Sequence, residues 1–242
     1  FSFSHGRLGK WYILDQEFYL MDSLVCDNGV GTDLHDILYD EAGNYWLMCD
    51  TNSAQDLSPY QTVDGVSGSA GATVLGQLMV QHDASGNRMA HWNGIEHFPV
   101  DDADFGWFSD PAFFDFQHQN SVTEAPFGRL LISSRHLNEV TLLDPRTGQI
   151  IWRLGGKANQ FTLIGDSVWF GAQHDARMDA DNRLWLYDNA TLGPADVARY
   201  LEYQLDTIAM TATVLRQCPE PSGQRSRFMG NAIRLSGGHV IS

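Results

Sequence analysis

Residues 118–156 read HQNSVTEAPFGRLLISSRHLNEVTLLDPRTGQIIWRLGG, and this stretch decides the fold. Short runs of Val, Leu, Ile and Trp are separated in it by turn sequences such as Phe127-Gly128 and the Asp-Pro-Arg-Thr-Gly of 144–148. Apolar runs of this length between Gly and Pro punctuation are typical of antiparallel strands, and no useful helical periodicity competes with them. The stretch therefore predicts four strands, roughly at 118–123, 129–134, 139–144 and 149–154.

The same unit returns along the chain. His118 and His174 are 56 residues apart, and His174 and Asn231 are 57 apart. A period in this range with four strands per unit indicates the blades of a β-propeller. We therefore predict an all-β protein, with residues 1–242 forming a single β-propeller domain of four-stranded blades. The copy that begins at His174 predicts strands at roughly 173–179, 183–188, 198–206 and 210–217.

The first interval and the two ends depart from this period. His35 precedes His118 by 83 residues, and a polar, Gly/Ser-rich insertion at 53–71 accounts for the excess. The start contains what resemble the last two strands of a blade, 11–14 and 18–25, and the end contains the first two strands of another. Either these halves join to close a four-bladed ring, or the chain is cut from a larger propeller. The opening FSFS has neither an initiator Met nor a signal-peptide pattern, so we expect a mature or trimmed segment.

Composition excludes some partners. The formal net charge is −15, from 30 acidic and 15 basic residues, so binding to nucleic acid or to anionic membranes is not expected. No run of eighteen apolar residues is present to span a membrane. Cys26, Cys49 and Cys218 have no metal-ligand spacing, and their pairing stays open.

Three copies place a histidine at the start of the first strand, namely His35, His118 and His174. In a propeller this strand lines the central channel, so the three imidazoles are predicted to meet at one mouth of it. The alternative is that they only bond one another or water. Arg135 ends the second strand of one copy and could grip a sulfate or phosphate anion with two hydrogen bonds. Its alternative role is a salt bridge, for instance with Glu139.

Neighbouring residues receive weaker assignments. Asn120 and Asp175 are expected to orient the histidines or bind substrate, with turn or strand-edge roles as the alternative, and Asn231 is the corresponding position in the last copy. His136 is expected to have a surface or packing role. Arg177 is either a fifth channel residue or a bridge between blades, and the bridge is favoured. The acidic loop at 101–104 is predicted to be solvated rather than to hold calcium.

Several motifs carry a family resemblance. FQHQNSV (116–122), LLISSRHLNEVTLLDPRTGQIIWRLGG (130–156) and QHDARMDADNRLWLYDNA (173–190) resemble motifs of the arylsulfotransferase family. TDLHDILYDEAGNYWLM (32–48) and NRMAHWNGIEHFPVDDADF (87–105) are similar to its earlier segments. The resemblance covers most of the chain from about Trp11 onward. It implies a six-bladed propeller, usually exported, that moves sulfuryl groups from a phenolic sulfate ester to a phenol without a phosphoadenosine-type donor.

The resemblance also implies roles for individual residues. His174 matches the nucleophile that becomes transiently sulfurylated. His35, His118 and Arg135 match the groups that hold the sulfuryl oxygens and assist the leaving phenol. No cofactor and no metal are implied, and the expected partners are a small-molecule phenolic sulfate donor and a phenol acceptor.

Two other classes of function remain open. The same histidines could hold zinc or another divalent ion in a hydrolase or lyase. The fold could also serve as a non-catalytic propeller that binds a ligand or another protein.

Overall fold

The protein is nearly all-β. The computed structural model describes residues 9–241, so the opening FSFS lies outside the described residues. Strands account for 48% of the structure, which confirms the predicted all-β class. The helical elements of the described part are three-residue 3-10 turns, namely Asp27–Gly29, Gly94–Glu96, Val100–Asp102, Phe105–Trp107, Arg135–Leu137 and Ser236–Gly238.

The strands form three large sheets with a two-stranded hairpin before and after them. The large sheets are mainly antiparallel, but β7 joins the first sheet and β12 joins the third as short parallel strands. The first hairpin is β1 (Trp11–Leu14) and β2 (Leu20–Leu24). The first sheet holds β3 (Thr32–Tyr39), β4 (Tyr45–Gln55), β5 (Ala72–His82), β6 (Arg88–Asn93) and β7 (Phe113–Asp115). The second holds β8 (Gln119–Ala125), β9 (Arg129–Ser134), β10 (Glu139–Asp144) and β11 (Gln149–Gly155). The third holds β12 (Thr162–Ile164), β13 (His174–Met178), β14 (Arg183–Asp188), β15 (Arg199–Asp206) and β16 (Thr211–Pro219), and the last hairpin is β17 (Ile233–Arg234) and β18 (Val240–Ile241).

The second sheet confirms the four strands predicted from 118–156, in the order β11-β10-β9-β8. Its last hairpin shows why the turn sequence works. The Asp144 side chain accepts a hydrogen bond from the Arg146 amide at 2.9 Å, and its carbonyl accepts one from the Gly148 amide at 2.8 Å. Gly148 has φ +73°, a conformation that glycine adopts without steric cost. This turn therefore fixes the register between β10 and β11.

Consecutive sheets pack face to face. Trp46 and Met48 of the first sheet share a buried cluster with Val122 and Ile132 of the second. A second cluster unites the opposite face of the second sheet with the third, and Trp152 is buried within it. The strands β3, β8 and β13 lie side by side, with β8 in the middle, within a curled half-barrel. The first strand of each repeat therefore lies innermost.

The predicted insertion and the two ends of the chain lie outside the repeated four-stranded unit. Residues 53–55 lengthen β4, and residues 56–71 form the loop that leads to β5. In the described part of the chain, β1–β2 and β17–β18 pair only within their own hairpins. The two end hairpins are therefore separate two-stranded sheets among the described residues, and the number of blades stays a prediction.

A disulfide closes the first hairpin onto the first sheet. Cys26 and Cys49 are bonded with their Cα atoms 5.9 Å apart, which settles a pairing that the sequence left open. Cys218 is a free thiol. Among the described residues, no helix is long and apolar enough to cross a membrane.

Candidate active site

The three repeat histidines meet at one end of the inner strands. The ring centroids of His35 and His118 are 5.1 Å apart, and those of His35 and His174 are 6.5 Å apart. The predicted convergence of the three imidazoles is therefore present in the structure. Their chemical roles stay predictions.

Backbone irregularities at the same place in each inner strand produce this convergence. The pairing register shifts between Thr32 and Ile37 in β3, within the first three residues of β8, and between His174 and Arg177 in β13. His118 also has φ +48°, a rare left-handed conformation for a residue with a side chain. Such bulges re-aim side chains and are frequent beside functional sites. Here they turn the imidazoles toward a common point.

His174 is held as a neutral imidazole. Its Nδ1 lies 2.7 Å from Asn189 Oδ1 and 3.1 Å from the Ala172 carbonyl oxygen. Both are acceptors, because the Asn189 amide nitrogen donates to the Met229 carbonyl, so Nδ1 carries the proton and Nε2 keeps its lone pair. Burial lowers the pKa of His174 to about 3. A buried imidazole with a free Nε2 lone pair can act as a nucleophile at neutral pH.

His35 and His118 are each paired with a carboxylate. His35 Nδ1 lies 2.6 Å from Asp33 Oδ1, and His118 Nδ1 lies 2.6 Å from Asp115 Oδ2. In each pair the carboxylate can accept a hydrogen bond from the Nδ1–H group of the ring. Sequence reasoning missed both carboxylates, although each stands two or three residues before its histidine. These pairs fix the orientation of the two rings beside His174.

Arg135 is a buried cation at the edge of the cluster. Its side chain lies over the Trp107 ring, with Cζ 3.9 Å from the ring centroid, and the residue is only 3% exposed. Burial lowers the pKa of Arg135 to about 10, so the guanidinium stays charged at neutral pH. The alternative salt bridge with Glu139 is wrong, because Glu139 binds Arg153 at 2.7 Å. Arg135 instead donates hydrogen bonds to His136 and to the Arg227 carbonyl.

His136 belongs to this cluster. A surface or packing role was expected for it, but it also bonds to Arg135 and contacts His118. It accepts a hydrogen bond from Arg135 Nη1 at 2.8 Å and donates one from Nδ1 to the Asp115 carbonyl. Its ring stacks on Trp107 at 4.6 Å and on His118 at 4.5 Å. Burial holds the pKa of His136 well below its usual range.

A cleft of about 300 Å³ opens beside His35 and His174, and Asn120, Asp175 and Asn231 all line it. Asn120 is 5% exposed and donates from Nδ2 to the Gln173 carbonyl at 2.7 Å. Its buried Oδ1 has no hydrogen-bond partner among the described residues, so it can accept from a ligand. Five predicted site residues therefore share one cavity.

Asp175 is engaged elsewhere than on the histidines. One of its oxygens binds Arg177 Nη2 at 2.6 Å, and the other accepts from the Ala232 amide at 2.7 Å. Arg177 continues to Asp36 at 3.0 Å and to the Val122 carbonyl at 3.1 Å. The expected bridging role of Arg177 is confirmed, and Asp175 ties the last hairpin to the third sheet.

The loop at 101–104 is occupied by protein partners. Asp101 accepts from the Tyr60 hydroxyl at 2.6 Å, and Asp102 binds Arg153 at 2.8 Å. Asp104 accepts from Asn138 at 3.1 Å. These carboxylates therefore have structural roles rather than being simply solvated.

A metal would fit the group formed by Asp115, His118 and His136 poorly. Potential ligand atoms of Asp115, His118 and His136 lie within 4.8 Å of one another. Both nitrogens of His136 already make hydrogen bonds, one of them to the Arg135 guanidinium. A cation would have to displace that guanidinium, so these residues favour an anion instead.

Three histidines therefore lie together at the inner strands of the stacked sheets, with Arg135 bonded to the neighbouring His136. Residues 19–242 match the arylsulfotransferase (ASST) family, and the chain belongs to that family. No curated protein matches the chain. Among solved structures it is similar to a protein of unknown function from Bacteroides caccae, at 11% identity and a TM-score of 0.40, over 94% of this chain and 76% of that one.

Proposed function

We propose that the protein transfers a sulfuryl group from a phenolic sulfate ester to a phenol through a sulfo-histidine at His174. The observation that carries the proposal is the protonation state of His174, whose buried Nδ1 donates to Asn189 and whose Nε2 keeps its lone pair. Membership of the arylsulfotransferase family supports sulfuryl transfer as the type of reaction.

In the first displacement, the Nε2 lone pair of His174 forms a bond to sulfur. The bond between sulfur and the ester oxygen breaks, and its electron pair leaves with the phenol oxygen. A protonated imidazole, His35 or His118, gives that oxygen a proton as general acid. The carboxylates of Asp33 and Asp115 bind the Nδ1 atoms of these two rings and orient them.

In the second displacement, the acceptor phenol returns the proton to that same imidazole. Its oxygen attacks sulfur, the nitrogen–sulfur bond breaks, and the electron pair returns to His174 Nε2. The enzyme is restored without any cofactor or metal, and two separate half-reactions predict ping-pong kinetics.

Arg135 would stabilise the sulfuryl oxygens in both steps. A guanidinium has five N–H donors, of which Arg135 uses one toward His136 and one toward the Arg227 carbonyl. The remaining donors can bind oxygens on which negative charge is spread. Asn120 and Asn231 line the cleft beside His35 and His174 and are proposed to contact the substrate.

The same proposal extends to architecture and location. Three sheets stacked face to face around adjoining inner strands support a single propeller domain. The family resemblance implies six blades in a complete ring, of which about four are visible as repeats in this chain. The Cys26–Cys49 disulfide supports an exported, periplasmic or secreted, protein, because such bonds persist in oxidising compartments.

The test is a transfer assay with 4-nitrophenyl sulfate, with and without added phenol. We expect phenol-dependent release of nitrophenol, lost in His174→Ala and retained in His91→Ala, a control on an exposed position of β6. Release that needs no phenol would indicate hydrolysis and call for metal analysis. A folded protein that releases nothing would contradict the transferase and favour a binding propeller.

A further inference from the structure

His136 is bound through both of its ring nitrogens. The Asp115 carbonyl oxygen can only accept, so the hydrogen on His136 Nδ1 points to it. Arg135 Nη1 can only donate, so His136 Nε2 must present a lone pair. A neutral ring with its hydrogen on Nδ1 is the state that satisfies both contacts.

The ring also lies in a flat stack. Trp107 covers one side of it at 4.6 Å and 14°, and His118 contacts it at 4.5 Å and 30°. The Arg135 guanidinium lies over the same Trp107 ring. With one face against an aromatic ring, the guanidinium can meet an anion through its N–H edge.

Rotation within that plane decides where the remaining N–H groups of Arg135 point. Two hydrogen bonds restrain it, from Nη1 to His136 and from Nη2 to the Arg227 carbonyl at 2.9 Å. Of the two acceptors, His136 Nε2 belongs to a side chain, whereas the Arg227 oxygen belongs to the backbone. His136 also connects Arg135 to Asp115, the residue whose carboxylate binds His118.

We propose that His136 is a positioning residue whose Nε2 lone pair orients the Arg135 guanidinium toward the sulfuryl oxygens. The inference rests on the proposed function, since it assigns Arg135 to those oxygens. It differs from a packing role in one respect, because packing requires a flat ring and orientation requires an acceptor atom.

Two variants separate these roles. His136→Phe keeps a ring in the stack and removes the acceptor, whereas His136→Gln supplies an amide oxygen as acceptor and loses the aromatic ring. We expect kcat/KM for 4-nitrophenyl sulfate to fall by about 10- to 100-fold in the Phe variant, as for the loss of a hydrogen bond to a charged group. The Gln variant should stay within a few-fold of wild type. Equal losses in both variants, or no loss in the Phe variant of folded protein, would overturn the proposal.

A second readout does not depend on turnover. In ¹⁵N NMR spectra, the Arg135 Nη1 and Nη2 signals should be separate in wild type and in His136→Gln, because the guanidinium is held. They should average in His136→Phe. If this pattern appears and no sulfuryl transfer is found, the proposed function fails while the positioning role stands. If transfer is present and the signals of all three proteins are alike, the positioning role fails.

Discussion

Acid should destabilise this protein partly through His174. The ordinary pKa of histidine is about 6.5 in an unfolded chain, and burial lowers that of His174 to about 3. Below pH 6.5 the unfolded state therefore binds a proton that the folded state refuses, so the free energy of unfolding decreases as the pH falls. For these two pKa values, the loss from this residue is about 2 kcal/mol between pH 7 and pH 5, and it approaches about 5 kcal/mol below pH 3.

The measurement is urea unfolding, followed by circular dichroism, of wild type and His174→Gln at pH 7 and pH 5. The contributions of other titrating groups cancel when the two proteins are compared at the same pH. From pH 7 to pH 5, the free energy of unfolding of His174→Gln should therefore rise by about 2 kcal/mol relative to that of wild type. Ile208→Gln, at a position that is 96% exposed, serves as the control, and its difference from wild type should not depend on pH. If the His174→Gln difference is also constant, His174 is not a buried neutral base.

The pKa of His174 also determines how the proposed reaction should depend on pH. With a pKa of about 3, the proposed nucleophile His174 keeps the lone pair on Nε2 at pH values well above 3. An acid limb in the activity profile would then come from other groups or from unfolding, rather than from protonation of His174.

Two further predictions concern the support of the site and the disulfide. In Asn189→Leu, His174 Nδ1–H loses the Asn189 oxygen as an acceptor and keeps only the Ala172 carbonyl, and the Met229 carbonyl loses its donor. We therefore expect kcat to fall by about 10- to 100-fold in the transfer assay. Asn189→Ser, which can still accept, should lose less, and equal losses would show that the hydrogen bond is unimportant. Reduction of the Cys26–Cys49 bond, which spans 23 residues, should lower the free energy of urea unfolding by about 3 kcal/mol. Cys218→Ser should leave that value unchanged, and an equal stability with and without reductant would refute the estimate.

Much of the strand pattern could be read from local signals. The second sheet matches its predicted strands within two residues because apolar runs and Gly turns are properties of short segments. The convergence of His35, His118 and His174 was accessible for a related reason, since a repeat places equivalent residues at equivalent points of its sheets. The sequence could not predict whether the two end hairpins pair with each other, because strand pairing joins segments that no local pattern connects.

His136 shows where local reasoning fails. In an extended strand, neighbouring side chains point to opposite faces, so an inward Arg135 implies an outward His136. A 3-10 turn over Arg135–Leu137 replaces that alternation, and both side chains enter the cluster. The turn is stabilised by contacts from elsewhere in the chain, including a hydrogen bond from the His136 amide to the Gln117 carbonyl.

The sequence alone therefore determined the all-β class, the repeat and the histidines that the repeat brings together, because each follows from a pattern along the chain. Only the tertiary structure decided the state of those histidines. Asn189 reaches His174 from 15 residues away and sets its tautomer, and Arg135 meets the Arg227 carbonyl across 92 residues. Burial and hydrogen bonding set the proton positions, and both depend on which segments pack together in three dimensions.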